Sequence, residues 1–403
     1  MKKLSILLIT CMVIPFAGIS QRYQSENRPY PELQTILNDV KEKHIPDWRD
    51  NVFDIRIIDV NGTPVLKGST NMPDAYQELV ALATKQNATL ADSIKMLPDE
   101  EGLEGKTYGV INLSVANVRV TPSYAGEMAT QLLLGTPIRV LEKGSWYRIL
   151  SPEGYHSWTN HASFHPMTKE EFNAWISAPK IVFTDYYGFA YEKADEKSQR
   201  VSDLAACNML KYEGEEGIFY KIAYPDGRIG YVLKSQSTPF EQWLASIKLT
   251  EESILEKAFM SMGIPYLWGG TSTKGLDCSG FTKTTMFMHG IILRRDASQQ
   301  VHTGTPVDIT NGYDNLRPGD LMFFGQEAQG DRKMRIGHVG FYIGGKQFIH
   351  AAGRVKVNSL HPTAPNYDEY NTKRFIRASR IIGAVGTQGI WFIKDNPLYQ
   401  VQK

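Results

Sequence analysis

Cys278 stands in the run LDCSGF at 276–281, and His338 and His350 follow it by 60 and 72 residues in RIGHVGFYIGG and QFIHAAG. Together these residue types can carry out acyl transfer. A thiolate rather than a thiol attacks a carbonyl carbon, and a nearby imidazole takes the thiol proton and later returns it to the leaving amine. That imidazole must itself be held in one tautomer by a third polar group, for which His350 is the candidate. A lone cysteine is ordinarily a small buried hydrophobe, and a lone histidine between apolar residues is ordinarily structural. Three such residues in glycine-flanked settings favour the catalytic reading.

The elements that must position them are legible around each one. IPYLWGGTSTKGLD, with Gly269, Gly270 and Gly275, is a turn-rich approach to the cysteine. SGFTKTTMFMHG then places Phe281, Thr285 and Met288 at helical spacing, so Cys278 is expected at a helix N-terminus. There the helix dipole and unpaired N–H groups favour a thiolate and could form an oxyanion hole. The two histidines sit on apolar runs separated by Gly344 and Gly345, which predicts a hairpin with the imidazoles side by side.

Five runs in order, PYLWGG, LDCSGF, LRPGDLMFFG, GHVGFYIG and FIHAAG, resemble the NlpC/p60 cysteine peptidases, and the resemblance covers about 247–403. It implies a papain-like core and hydrolysis of cell-wall peptides at D-glutamyl bonds, with Cys278 as nucleophile, His338 as base and His350 as orienting residue. Tyr266 would face the nucleophile, or else be simple aromatic packing.

Composition bounds the rest. A chain of 403 residues with 42% apolar content suggests two to four domains, and a formal net charge of +1 gives no basic field for nucleic acid. Neither a metal-ligand cluster nor a phosphate-cradling loop is evident, and the expected chemistry needs no metal or cofactor. His289, His302 and His361 are isolated and read as structural or surface residues. Lys2 and Lys3, the apolar run Leu4–Phe16 and AGIS at 17–20 read as a signal peptide over 1–20, cleaved near Ser20, with export to the cell envelope and the periplasm favoured over the outer surface as destination. That run is shorter than the ~20 residues a spanning helix needs, and no transmembrane segment is expected. Cys11 lies within it. Cys207 and Cys278 remain in the mature chain, both expected as free thiols, with Cys207 a buried hydrophobe.

Residues 21–108 are expected to form a mainly helical segment, from PELQTILNDVKEKHIPD and MPDAYQELVALATKQNATLADSIKML, with one hairpin turning at Asn61-Gly62. Short alternating runs over 109–165 predict a small β-barrel. They resemble a bacterial SH3-like domain. A second, weaker copy is expected over 166–246, since WYRILSPEGYHSW and FYKIAYPDGRIGYV repeat. The fold class is therefore α+β: a papain-like domain over 247–403 preceded by two SH3-like barrels and the N-terminal segment.

Two SH3-like domains ahead of such a catalytic domain, with LLGTP and RDASQQ, resemble the YkfC-type gamma-D-glutamyl-L-diamino acid endopeptidases. That branch implies a cleft closed by the first SH3-like domain and restricted to peptides with a free N-terminal L-alanine. Glu127 and Tyr155 are the positions assigned to the substrate amine, Asp277 a second carboxylate for it, and Ser279 and Ser298 contacts to the D-glutamate α-carboxylate. Asp296 could instead brace a loop. The expected partners are peptidoglycan-derived peptides. The rivals are a wall-lytic endopeptidase acting on polymeric wall, a non-catalytic wall-binding protein, and a lipid acyltransferase or deamidase of related fold.

Overall fold

The computed structural model describes residues 30–403, so the expected signal peptide lies outside the described residues. The chain divides into two compact units. Among the described residues, the first takes 30–46 together with 54–68 and 73–94. It contains α1 (Pro31–His44), α2 (Pro73–Gln86) and most of a sheet in the order β1 (Phe53–Val60), β2 (Thr63–Thr70), β3 (Ala91–Met96). The helices bury Leu33, Leu37 and Val40 on α1 and Ala75, Leu79 and Ala83 on α2, positions that recur every three or four residues. Asn61 and Gly62 both take positive φ, 54° and 81°, as a two-residue hairpin turn requires.

This region was expected to be mainly helical, and the structure corrects that. The helical pattern running to Leu97 stops at Gln86, because the Asn87 side chain accepts hydrogen bonds from the Thr89 N–H (3.0 Å) and hydroxyl (2.8 Å). Such local side-chain bonds compete with helix propagation, and the residues beyond become β3.

The second unit holds 47–53, 69–72 and 95–403. Its first sheet is built from β4 (Tyr108–Ile111), β5 (Val115–Arg119), β6 (Met128–Leu133), β7 (Pro137–Lys143), β8 (Tyr147–Leu150), β9 (His156–Thr159) and β10 (Phe164–Met167), in the order β10-β4-β7-β8-β9-β5-β6. Helix α3 (Lys169–Ser177) follows, opened by a capping box between Thr168 and Glu171. The second sheet uses β11 (Lys180–Phe183), β12 (Tyr187–Tyr191), β13 (Arg200–Ala205), β14 (Met209–Glu216), β15 (Phe219–Ala223), β16 (Ile229–Leu233) and β17 (Ser237–Pro239), in the order β17-β11-β14-β15-β16-β12-β13. The two orders correspond strand for strand. The repeated sequence motif is the hairpin β8–β9 in one and β15–β16 in the other.

After α4 (Phe240–Ser246) and α5 (Glu251–Met260), the two-residue strands β18 (Thr271–Ser272) and β19 (Gly275–Leu276) lead into α6 (Cys278–Phe287). Then come β20 (Ile291–Leu293), α7 (Ala297–Gln300), β21 (Thr305–Pro306), β22 (Leu321–Gln326), β23 (Arg335–Gly344), β24 (Gln347–Ala352), β25 (Arg354–Ser359), α8 (Glu369–Thr372), β26 (Phe375–Arg380) and β27 (Ile390–Phe392). The main sheet runs β21-β26-β22-β23-β24-β25 and is antiparallel throughout. The unbroken apolar run of β22 has residues in two cores: Leu321 and Phe323 pack with Phe281 of α6, while Met322 and Phe324 pack with Tyr342 and Phe348. No helix among the described residues is long and apolar enough to cross a membrane.

Helix α6 is buried along most of its length, and its start is wedged against the preceding loop. A Cβ placed on Gly280 would lie 1.9 Å from the Gly270 carbonyl oxygen. Gly280→Ala is expected to destabilise the protein by roughly 1–3 kcal/mol or more through overpacking, read as a lower denaturant midpoint. An unchanged midpoint would show that the helix start is not wedged in this way.

Candidate active site

Asp277 caps α6, its Oδ1 accepting from the Gly280 N–H at 2.6 Å while Oδ2 accepts from the Gly269 N–H at 3.0 Å. Cys278 is therefore the first helical residue. Its side chain is buried, with the thiol against the backbone N–H groups of Ser279 and of Val339, the neighbour of His338 on β23. Burial pushes the Cys278 thiol up to about 12 and the Asp277 carboxylate adds to this, while the two N–H groups and Arg295 act the other way. Cys207 is also buried and free.

The hairpin expected from Gly344 and Gly345 is formed by β23 and β24, and it brings the imidazoles together: His338 Nε2 and His350 Nδ1 are 2.7 Å apart. His350 Nε2 lies 2.9 Å from Asn358 Oδ1 on β25, and Asn358 Nδ2 donates to the Asn366 carbonyl at 2.8 Å. The direction of every bond follows from that last one. A backbone carbonyl only accepts, so the amide nitrogen of Asn358 faces it and the amide oxygen faces His350. His350 must then carry its proton on Nε2, leaving Nδ1 to accept from His338 Nε2–H. Neutral His338 is left with a bare Nδ1. Burial pushes His338 down to about 3, helped by the neighbouring His350, and burial pushes His350 down to about 4 against the hydrogen bond to Asn358. Gly340 gives the pair room, since a Cβ there would meet the His350 Cβ at 2.9 Å.

The residues expected to touch substrate fall in several places. Tyr266 is half-buried within the field of Cys278 and Asp277, which together with burial raises its hydroxyl above the ordinary tyrosine value. Ser279 is buried and accepts from Arg295 at 3.0 Å. Asp277, expected as a second carboxylate for the amine, is buried, and its oxygens accept from the Gly280 and Gly269 N–H groups and from Arg295 at 2.6 and 3.2 Å. A carboxylate in that setting is stabilised where it is, and a second cation would have to displace an existing partner.

Glu127 is exposed beside β6 and accepts from the indole N–H of Trp268 at 2.8 Å. The approach is possible because the loop backbone at Gly269 passes so near Met128 that a Cβ would lie 2.4 Å from its carbonyl oxygen. Tyr155 is buried, and its hydroxyl is raised by burial and by Asp296. Ser298 accepts from Arg49 at 3.0 Å, and Asp296 both caps α7 and pairs with Arg49 at 2.7 Å, which is the loop-bracing alternative.

Three residues of the site have no role in the sequence reading: Arg295, Asn358 and Arg49. Arg295 left a local signal, a second arginine beside Arg294 ahead of DASQQ, and Asn358 left its place in the alternation of RVKVNSL, on the same face as Arg354 and Lys356. Arg49 left none. Among the described residues, no group of three or more His, Cys, Asp or Glu could hold a metal ion.

Residues 263–380 match the family described as NlpC/P60, and 114–163 match the bacterial SH3 domain. A gamma-D-glutamyl-L-lysine dipeptidyl-peptidase of Bacillus subtilis is 30% identical over 234 residues, covering 55% of this chain and 71% of that protein. Its namesake from Bacillus cereus is 29% identical over 255 residues, covering 61% and 74%. The crystal structure of an NlpC/P60 family protein from Bacillus cereus superimposes with a TM-score of 0.58 at 25% identity, over 68% of this chain and 99% of that one. The chain belongs to the NlpC/P60 family, a family of cysteine peptidases, and carries a bacterial SH3 domain.

The histidine pair links the site to stability. Both imidazoles are depressed from 6.5, so between that value and about 3–4 the unfolded chain binds protons that the folded chain does not. Their contribution is complete above about 6.5 and is lost as pH falls towards 4. Urea midpoints of the wild type should therefore drop more steeply from pH 7 to 4 than those of a His338→Gln/His350→Gln variant. Parallel curves would mean that neither imidazole is depressed.

Proposed function

We propose that this protein is a cysteine endopeptidase that hydrolyses the gamma-D-glutamyl–diamino acid bond of cell-wall muropeptides bearing a free N-terminal L-alanine, in the turnover of wall fragments in the envelope. The observation that carries the reading is the directed relay from Asn358 through His350 to His338, beside the thiol at the start of α6. Burial opposes a lone charge on Cys278 or on His338, so the reactive form is the thiolate–imidazolium pair, reached by proton transfer with no net charge entering the site. The Cys278 sulfur then attacks the γ-carbonyl carbon of D-glutamate. As the C–N bond breaks, His338 gives its proton to the departing amine, leaving a thioester; His338 next takes a proton from water, whose oxygen displaces the sulfur and releases the acid. Tyr266, kept protonated beside Cys278, is a donor for the carbonyl oxygen as charge builds on it.

Two further observations support the choice of substrate. The relatives from Bacillus subtilis and Bacillus cereus are named gamma-D-glutamyl-L-lysine dipeptidyl-peptidases, and release of a dipeptide by a cut at that bond presupposes a free amine two residues before the cut. Glu127 presents a carboxylate on the SH3-like sheet at the loop that precedes the nucleophile. We also read the second sheet as a second SH3-like module, on the strength of its matching strand order.

Mass-spectrometric cleavage assays of L-Ala-gamma-D-Glu-diaminopimelate, its N-acetylated twin and intact sacculi form the test, each with the wild type and Cys278→Ala. Release of L-Ala-gamma-D-Glu from the free-amine peptide alone, and only by the wild type, is expected; equal cleavage of the blocked peptide or of sacculi would replace this reading with a wall-lytic one. The relay makes its own claim. Asn358→Ala should lower kcat by on the order of 10–100-fold with KM little changed, as loss of an outer partner that orients a functional histidine does. A full-rate Asn358→Ala enzyme would remove Asn358 from the mechanism.

A further inference from the structure

We infer that residues 47–50, from outside the SH3 and NlpC/P60 regions, complete the substrate cleft, and that Arg49 is a positioning residue through which the enzyme selects a substrate carboxylate. The inference rests on the reading above and assigns the carboxylate subsite a residue from the N-terminal part of the chain. Residues 47–53 fold with the compact unit of the sheets and the nucleophile helix, apart from their neighbours on either side.

The segment is pinned from two directions. On one, the Tyr155–His156 turn grips its backbone: the His156 N–H donates to the Arg49 carbonyl at 3.0 Å, and His156 Nε2 lies 2.6 Å from the Trp48 carbonyl. On the other, the Arg294–Gln299 stretch grips its side chains. Arg294 pairs with Asp50, and Gln299 Nε2 donates to Asp47 Oδ2 at 2.9 Å. The segment thus bridges His156, next to Tyr155, to the stretch that carries Arg295 and Ser298.

Arg49 sits at the middle of that bridge with its orientation fixed. Its Nε and one terminal nitrogen hold both oxygens of Asp47 at 2.7 Å, a two-pronged grip that sets the guanidinium plane. The other terminal nitrogen is thereby aimed at Asp296 Oδ2 (2.7 Å) and Ser298 Oγ (3.0 Å). A guanidinium only donates, so Ser298 accepts and its own hydroxyl proton is free to donate elsewhere. The same contact offsets the charge of Asp296, which would otherwise stand beside Ser298 and repel an anion. Arg49 therefore does two things for a carboxylate approaching Ser298: it turns a hydroxyl donor towards it and neutralises the competing anion.

The experiment separates this from a structural role by using two ligands. L-Ala-gamma-D-Glu and the same dipeptide with its α-carboxylate converted to the carboxamide are titrated by calorimetry into Cys278→Ala, Cys278→Ala/Arg49→Ala and Cys278→Ala/Arg49→Lys proteins, each checked for an unchanged melting curve. Loss of a charge-assisted contact should weaken carboxylate binding by about 10–100-fold in the Arg49→Ala background and carboxamide binding by less than about threefold, so the preference collapses; Arg49→Lys should recover part of it. Equal weakening of both ligands, or of neither, overturns the role of Arg49 while leaving the proposed activity standing. Failure of the Cys278→Ala parent to bind either dipeptide overturns the proposed activity and this inference with it.

Discussion

The contact between Asp277 and Arg295 is the constraint on which the arrangement around Cys278 depends. Both side chains are buried, and each would be costly there without the other. The same carboxylate closes the first turn of α6 and holds the Gly269 N–H, so one charged group sets where the helix carrying Cys278 begins, where the approach loop passes and where Arg295 lies. Because Arg295 also reaches Ser279, three consecutive residues, Asp277 to Ser279, have their side-chain surroundings set around a single ion pair and the thiol between.

A second chain of constraint runs across the sheet. β23, β24 and β25 are adjacent antiparallel strands, and His338, His350 and Asn358 come one from each. The hydrogen bonds between them all run in one direction because the chain of donors ends on a backbone carbonyl, that of Asn366. The result is a neutral His338 imidazole with its bare nitrogen predetermined, inside a setting that resists protonation of either ring. The sheet thus provides the tautomer, and the helix provides the thiol.

The matching strand orders of the two seven-stranded sheets show that one supersecondary plan is used twice, yet the copies contribute differently. The first places Glu127 against Trp268 and, through Gln131, bonds to Thr271 and Ser272 just ahead of Cys278. The second contributes Cys207 to an apolar cluster with Met288 and Ile292, at the far end of the same helix region. Repetition of a fold plan therefore carries no repetition of role, since the loops and edges that face the catalytic domain are different in sequence.

Local pattern was enough for much of this. The apolar periodicity after Cys278, the glycines between the histidine strands and the Asn61-Gly62 turn each depend on neighbours within a few residues, and each formed as read. The helical pattern past Gln86 misled because the side chain of Asn87 offered the backbone a competing set of bonds. What sequence by itself determined was the cysteine at a helix start, the histidine hairpin and the family plan, because those rest on short-range spacing. Only the tertiary structure decided that Asp277 would be consumed by Arg295, that Asn358 would terminate the relay and that Arg49 would meet Ser298. Those outcomes turn on which buried polar groups satisfy one another, and for partners as distant in the chain as Arg49 and Ser298 no local spacing encodes the meeting.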